Sequence, residues 1–475
     1  MKSLYDFLSL FDASFIWYFA SIDAVYLILF FIAAYKVFMR REFVLSDTYM
    51  PSLRSNFLPS ISFLMPAYNE QEQIVQAVKN VLAISYRHKQ IIVINDASND
   101  ETLERLIKAF DLIPIPKFYQ DTIPTKKVKT IYKSKLHPEL LCIDKEHGKK
   151  FDTLNVGINA CETPFFISLD ADTFLDDQEF EFLIHPILQD PSTLAIGASI
   201  RIVNGCSLKH NTISTLNFPQ RLLPAIQNLE YLRAFLQRQG WDFFGGVFVL
   251  SGAFAIFNAE VVKKIGGYVD TVAEDMEIIL RLHRWNRKEK RPYKITYLPD
   301  PVAWTLCPET YKELSHQRKN WHRGMLDCLW YHRQAFFNPK YGFFGLFVYP
   351  FWVYGECLEP LVEIMGHIFI VLGYFLGVIS LKLVLLFLAV TWGFTALFTV
   401  LCVLVEELSF RKYPSIRSLV IFIAVALCEN LWYRQLTLLW RFRGTVEFCQ
   451  HFRKAQENKQ LVEKLLNQSK QQGDA

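Results

Sequence analysis

None of the nine cysteines sits in a C-x-x-C pair. That absence argues against a disulfide framework or a zinc site and leaves reduced, buried thiols as the expectation. Excess charge is also missing. The formal net charge is only +4, which disfavours nucleic acid as a partner. No collagen-like, Gly/Ser-rich or repeated tract is present, which excludes a fibrous or repeat architecture. Charged residues make up 21% of the chain, whereas apolar types reach 51% and aromatics 15%, with 41 Phe. That balance is rich for a soluble enzyme and directs attention to long hydrophobic runs.

Phe15 to Phe38 is nearly all apolar, interrupted by Asp23, and long enough to cross a bilayer. No small-residue cleavage site follows, so an uncleaved anchor is expected. Lys36, Arg40 and Arg41 follow the span, while Lys2 precedes it beside Asp6 and Asp12. The positive-inside bias therefore places the segment after residue 40 in the cytoplasm. A second apolar block opens near Tyr341. Its first part, Phe343 to Ile379, carries Glu356, Glu359 and Glu363 on one helical face. These acids should face protein or water, as a packed cluster or as part of a passage, because charge in hydrocarbon is costly. Whether this part crosses once or enters as a kinked pair stays open. Leu381 to Val405 and Ile416 to Trp440 read as further spans, and Arg411, Lys412 and Arg417 mark the loop between them as cytoplasmic. The polar, lysine-rich tail 441–475 is expected to be a solvated helix or partly disordered.

Residues 55–335 alternate short apolar runs with helical periodicity. Ile61 to Met65, Gln90 to Ile94 and Pro164 to Leu169 read as buried strands. Asn69 with Glu72, and Ser98 with Glu101, read as capping boxes of the helices that follow the first two. This rhythm predicts a doubly wound α/β sheet, whose ligands sit beyond the C-terminal ends of the strands.

The polar clusters at those ends carry the chemistry. Pro66-Ala67-Tyr68-Asn69-Glu70 and Asn95 to Asp100 both follow strands and open helices, where free N–H groups hold anionic ligand atoms. Their plainer reading is as caps and turns. Asp170 and Asp172 point the same way after an apolar strand. Side-by-side carboxylates suit a divalent cation, Mg²⁺ or Mn²⁺, bridged to a diphosphate. Glu274 and Asp275 start a helix. The dipole accounts for acids there, but a general base for an acceptor hydroxyl is also needed in glycosyl transfer. Gln317 and Trp321 share a helical face within a basic stretch containing Lys312, Arg318, Lys319 and Arg323. That stretch reads as a sugar-stacking surface, as a helix lying on anionic lipid, or as both.

In this order the clusters resemble the processive family 2 glycosyltransferases, among them cellulose, hyaluronan, chitin and poly-N-acetylglucosamine synthases. The resemblance covers residues 55–335 and the flanking membrane helices. It implies a GT-A type nucleotide-sugar domain inserted between transmembrane helices, with interfacial amphipathic helices. Pro66, Tyr68 and Glu70 match the opening donor motif, and Asp96 matches the aspartate that contacts uridine. Gly148 to Asn155 resembles the family's G-G-K-A-D-A-L-N segment, which implies Lys150 as a diphosphate contact and Asp152 as a second uridine-side contact; the neighbouring Lys149 leaves the choice of lysine open. Asp170-Ala171-Asp172 matches the D-x-D motif, with Asp172 the direct metal ligand. Gly252 and Phe254 resemble the stretch bordering the acceptor sugar. Asp275, beside Glu274, resembles the catalytic base. One motif departs: the family's Q-x-x-R-W reads Gln317-Arg318-Lys319-Asn320-Trp321. Asn320 cannot make the charge-assisted bond of the missing arginine. Arg318 and Arg323 are possible diphosphate contacts, although helical geometry turns them about 100° or more from position 320.

These readings predict an anchor and linker over 1–54, a cytoplasmic transferase domain over 55–307, interfacial helices over 308–340, a membrane region over 341–440 and a polar tail over 441–475. The implied activity is inverting transfer from a UDP-sugar donor to a polysaccharide or glycolipid acceptor at the lipid bilayer of the cell membrane. Single addition to a lipid carrier and an inactive scaffold subunit are the alternatives. No second-messenger module is legible, so separate export or regulatory subunits are expected.

Overall fold

The computed structural model describes residues 2–44, 58–209, 212–215, 219, 221–410 and 416–471. The linker expected up to residue 54 and the charges Arg411 and Lys412 lie outside the described residues, apart from the linker's helical start. Four largely apolar runs form β1 (Ile61–Ala67), β2 (Lys89–Asn95), β5 (Leu140–Lys145) and β6 (Phe165–Leu169). They lie parallel in the order β5-β2-β1-β6, with Phe63 opposite Ile91 and Ile167. Burial on both faces explains why their centres are apolar rather than alternating. The crossovers α2 (Ile74–Ala83), α3 (Thr102–Phe110) and α4 (Lys149–Ala160) bring the turns after β1 and β2 side by side.

The full sheet has ten strands. It is mixed, so the doubly wound expectation holds for its parallel half alone. At one edge β3 (Leu112–Ile115) and β4 (Val128–Ser134) run antiparallel. At the other, β7 (Thr173–Leu175) pairs antiparallel with β12 (Lys294–Thr305), which runs parallel to β8 (Thr193–Ile202). A separate ribbon joins β9 (Ser207–Lys209) to β10 (Thr212–Thr215). The reversed β11 (Phe254–Asn258) lies between β6 and β8, Phe254 opposite Leu169. Its reversal delivers Gly252 and Ala253 to the edge where Asp170 sits; the Asp170 N–H donates to the Ala253 carbonyl at 3.2 Å.

The two capping boxes are not formed. α2 begins after Gln73 and α3 after Glu101, neither with a side-chain cap. Instead the two turns bond to each other. The Asn69 N–H donates to Ser98 Oγ at 3.0 Å, the Asn99 N–H to Asn69 Oδ1 at 2.8 Å, and the Glu70 N–H to Thr102 Oγ1 at 2.9 Å. Adjacent parallel strands put partners 30 residues apart in closer reach than the local helix end.

The described helices include three long and apolar enough to cross a membrane: Ser14–Arg40 within α1 (Lys2–Val44), Leu381–Ser409, and Arg417–Gln450 within α8 (Ile416–Gln450). Phe344–Cys357 and Glu359–Phe375 form a fourth candidate, bent by 41° at the break between them, with Pro360 in the first turn of the second helix. The chain is a membrane protein. The 22-residue α5 (Leu222–Phe243), which the periodicity argument passed over, wedges between α1 and the sheet. Gly240 permits this: a Cβ there would meet the Leu29 carbonyl at 2.6 Å. Arg201 on β8 forks onto Glu406 at 2.7 Å and ties the sheet to the membrane helices.

The acidic face is paired. Glu363 takes Arg434 at 2.9 Å, and Arg441 takes Glu359 at 2.5 Å and Glu356 at 3.5 Å. Both arginines lie on α8 (Ile416–Gln450), which follows α6 (Glu274–Lys288) and α7 (Tyr311–Tyr331). The tail departs from expectation. α8 continues to Gln450, and α9 (Phe452–Gln471) docks on the sheet domain. Ala455, Val462 and Leu466 are buried in its core, and Glu463 meets Arg284 at 2.8 Å. Three apolar side chains on one face outweigh the lysines on the other. Beneath this junction burial pushes the Asp327 carboxyl up to about 6, despite Arg323 and Lys454 nearby. The folded chain then binds that proton more tightly than the unfolded chain, so stability declines as pH rises from the ordinary carboxylate range through 6. Asp327→Asn should raise the unfolding temperature at about pH 8 and change it little at about pH 4, as read by a thermal ramp.

Candidate active site

A buried ion-pair chain stands at the ends of β2 and β5. Lys145 Nζ is fully buried between Asp96 Oδ1 at 2.6 Å and Asp152 Oδ2 at 2.7 Å. Asp96 also accepts from the N–H groups of Gly148 (2.9 Å) and Lys149 (3.0 Å), at the start of α4. Asp152 sits so close that a Cβ on Gly148 would fall 2.2 Å from its carboxylate. Both aspartates predicted to contact the donor base are thus brought together, by a lysine that sequence reasoning missed. Its signal was a charged residue closing an apolar strand. The exposed Tyr68 lies 4.9 Å, centroid to centroid, from the His147 ring, which itself stands 2.9 Å from Asp96. Pro66 stays within β1, opposite Ile94.

A second cluster gathers the other carboxylates. Lys150 Nζ lies 2.6 Å from Asp170 Oδ1 and 3.3 Å from Glu274 Oε1, and donates to the Gly252 carbonyl at 3.3 Å. Lys149 is instead held by Asp270 at 3.0 Å, so Lys150 is the lysine of the two that meets Asp170 and Glu274. Burial disfavours the Lys150 ammonium, but Asp170 and Glu274 override it and raise its pKa. Asp172 accepts from Thr173 and Thr305 hydroxyls at 3.3 and 3.4 Å. Burial, then the charge of Asp170, pushes Asp172 up to about 6. Burial, then Asp172 and Asp170, pushes Glu70 up to about 7. Glu274 is raised by burial, then by Asp275, with Lys150 opposing. Asp275 opens α6 next to Gly252, whose added Cβ would lie 3.6 Å from Asp275 Oδ2 and 3.2 Å from Lys150 Nζ.

This cluster lines a cleft of about 870 Å³. On its far wall α7 presents Gln317, Arg318 and Trp321, and on its membrane side stand Tyr26, Trp352, Glu356, Glu359 and Arg441. The Gln317 side-chain oxygen is buried without a hydrogen-bond partner among the described residues. Trp321 is 46% exposed. Arg318 is in the cleft, on a face turned away from position 320 as helical geometry expects: it reaches across to Glu230 on α5 at 2.7 Å and lies 4.4 Å over the Trp321 ring. Arg323 is not; it faces Glu447 and Asp327. Asn320 turns outward, its amide 2.9 Å from His316 Nε2. Phe254 is also outside the cleft. As the first residue of β11 it is fully buried in the sheet core, and Ser251 to Ala253 line the site in its place.

Among the described residues no three His, Cys, Asp or Glu side chains are grouped to hold a metal ion by themselves. The oxygen-only pair Asp170 and Asp172, with Glu70 nearby, suits a hard cation that completes its shell with phosphate oxygens. The crowding that lifts Asp172 and Glu70 is relieved by positive charge.

The comparisons with known proteins point to one family. "Glycosyl transferase family 2" matches residues 62–123 and "Glycosyltransferase like family 2" matches residues 133–324, spanning both carboxylate clusters and the Gln317–Trp321 helix. The poly-β-1,6-N-acetyl-D-glucosamine synthase of Staphylococcus aureus (strain COL) is 28% identical over 347 residues, 68% of this chain and 73% of its own length. That of Staphylococcus epidermidis is 27% identical over 310 residues, 62% and 64% of the two lengths. In fold the chain resembles a mannosyltransferase of Pyrobaculum calidifontis solved with GDP-mannose and Mn²⁺. The TM-score is 0.50 at 14% identity, covering 86% of this chain and 99% of the other. That likeness is one of architecture, a mixed sheet of GT-A type. With two matches to one family laid over the same carboxylates that the fold brings together, the chain belongs to the family 2 glycosyltransferases.

Proposed function

We propose that the chain elongates a β-linked extracellular polysaccharide, taking sugar from a nucleotide-sugar donor, first choice UDP-N-acetylglucosamine, on the cytoplasmic side of the cell membrane. The observation that carries this reading is the single cleft joining Lys150, Asp170, Asp172 and Asp275 to Trp321 and onward to Glu356, Glu359 and Arg441 at the membrane helices. A donor-side cluster continuous with a membrane-side corridor suits an acceptor that leaves through the bilayer. The synthases named above support the polymer as product.

The donor base lies against Tyr68 and His147 with Asp96 and Asp152 beneath. Lys150 meets the diphosphate. Asp170 and Asp172 would hold Mg²⁺ or Mn²⁺, which when bound neutralises the departing diphosphate. Asp275 takes the acceptor hydroxyl proton as that oxygen attacks the anomeric carbon from the face opposite the leaving group. The C–O bond to the diphosphate breaks and the configuration inverts. Gln317 and Trp321 hold the acceptor end. Arg318 supplies the charge that Asn320 lacks. Arg318→Ala should therefore raise the donor KM about 10- to 100-fold, the worth of a charge-assisted hydrogen bond, whereas Asn320→Ala should stay within about twofold; donor titrations of nucleotide release decide it.

The test of the whole reading is purified chain in detergent with UDP- and GDP-sugars and Mn²⁺ or Mg²⁺. Nucleotide release from one donor, lost with EDTA and followed by a long product, is expected. A single-sugar product overturns the polymer in favour of a lipid acceptor. No release from any donor favours the inactive-subunit reading.

A further inference from the structure

A second cleft, of about 1050 Å³, opens on the other side of α5. Its walls are Lys36 and Arg40 from α1, Arg287 from the end of α6, Lys290, Arg291 and Lys294 leading into β12, and Lys340. Against these seven cations stands one lining carboxylate, Asp242. Asp242 pairs with Lys36, and Arg40 pairs with Asp300 at 2.6 Å. The remaining five have no ion-pair partner among the described residues. Two of them are nevertheless fixed in place. The Arg287 guanidinium lies 5.6 Å from the Tyr293 ring centroid and donates to its hydroxyl at 2.7 Å; Arg291 lies 5.2 Å over Trp285. Stacking of this kind holds a guanidinium without neutralising it. The excess positive charge is felt locally, since burial, then Arg40 and Lys294, hold the His185 imidazole below its ordinary value.

The cleft is distinct from the catalytic one. α5 separates the two, presenting Gln239, Asp242 and Phe243 to this side and Glu230, Gln237 and Trp241 to the other. Arg287 follows Asp275 by twelve residues on α6, about 18 Å along a helix. Its position is at the bilayer surface, because Lys36 and Arg40 close the candidate span Ser14–Arg40. A basic pocket at the end of a membrane helix lies within reach of anionic headgroups.

We infer that this cleft is a binding site for a phosphate-bearing anion, the headgroup of an anionic phospholipid. Arg287 and Arg291 present preorganised forks to the phosphate oxygens, and Lys290, Lys294 and Lys340 surround them as exposed point charges.

Delipidated chain in uncharged detergent, titrated calorimetrically with short-chain phosphatidylglycerol, tests this. Phosphatidylglycerol should bind, and phosphatidylcholine of equal chain length should not. The triple variant Lys290→Glu, Lys294→Glu, Lys340→Glu should weaken binding at least about tenfold. Because these three side chains are exposed and outside the catalytic cleft, its nucleotide release in detergent should be unchanged, which also reports that it folds. Inorganic phosphate binding as tightly as the lipid would keep the anion site and make a free phosphate its ligand. Equal binding of the two lipids, or undiminished binding by the triple variant, overturns the inference.

Discussion

Replacing Asp275 by Asn should lower turnover about 10²- to 10⁴-fold, the range over which a positioned general base contributes, while donor affinity changes little. The geometry singles out this carboxylate. Lys150 is committed to Asp170 and Glu274 at 2.6 and 3.3 Å, whereas Asp275 has no ion pair among the described residues. Its Oδ1 accepts from the Met276 N–H at 2.9 Å, and Oδ2 faces the cleft beside Gly252. Glu274→Gln should act differently. It removes a counter-charge from Lys150, so its effect should appear in donor KM as well as in turnover. Steady-state nucleotide release with separate donor-binding titrations separates the two; loss of donor binding in Asp275→Asn would assign that residue to the donor rather than to the acceptor proton.

Lys145→Met should be among the most destabilising substitutions in the catalytic domain, by about 3–5 kcal/mol, because it strands two buried carboxylates without their cation. Asp96 retains the N–H groups of Gly148 and Lys149, but Asp152 retains only the Lys126 N–H at 3.0 Å. The unfolding temperature of the full chain in detergent should fall accordingly. Adding Asp152→Asn to Lys145→Met removes one stranded charge and should restore part of the loss. An unaltered midpoint in the single variant would show that the triad is hydrated and carries no structural load.

Much of the catalytic edge was legible because its signals are local. An apolar run followed by Asp170-x-Asp172, or by Pro66 to Glu70, places carboxylates at a strand end whatever the rest of the chain does. A run of about twenty apolar residues likewise declares a membrane helix by length and composition. Glu274 and Asp275 were readable as a helix start for the same reason.

What the linear order left undetermined depends on partners far apart in the chain. Asp96, Lys145 and Asp152 meet because β2 and β5 are neighbours, and Lys150 rather than Lys149 pairs with Asp170 while Asp270 captures the latter. Arg318 enters the cleft because Glu230 on α5 draws it across, while Glu447 on α8 turns Arg323 away. The reversal of β11 buries Phe254 and brings forward Gly252. The tail becomes part of the core because three apolar side chains find a surface already built. By itself the sequence determined which residues could do chemistry and which segments could enter a membrane, since residue type and period suffice for both. Only the tertiary structure decided which charges neutralise one another and which remain free to act, since that is a matter of distance between elements the chain order does not contain.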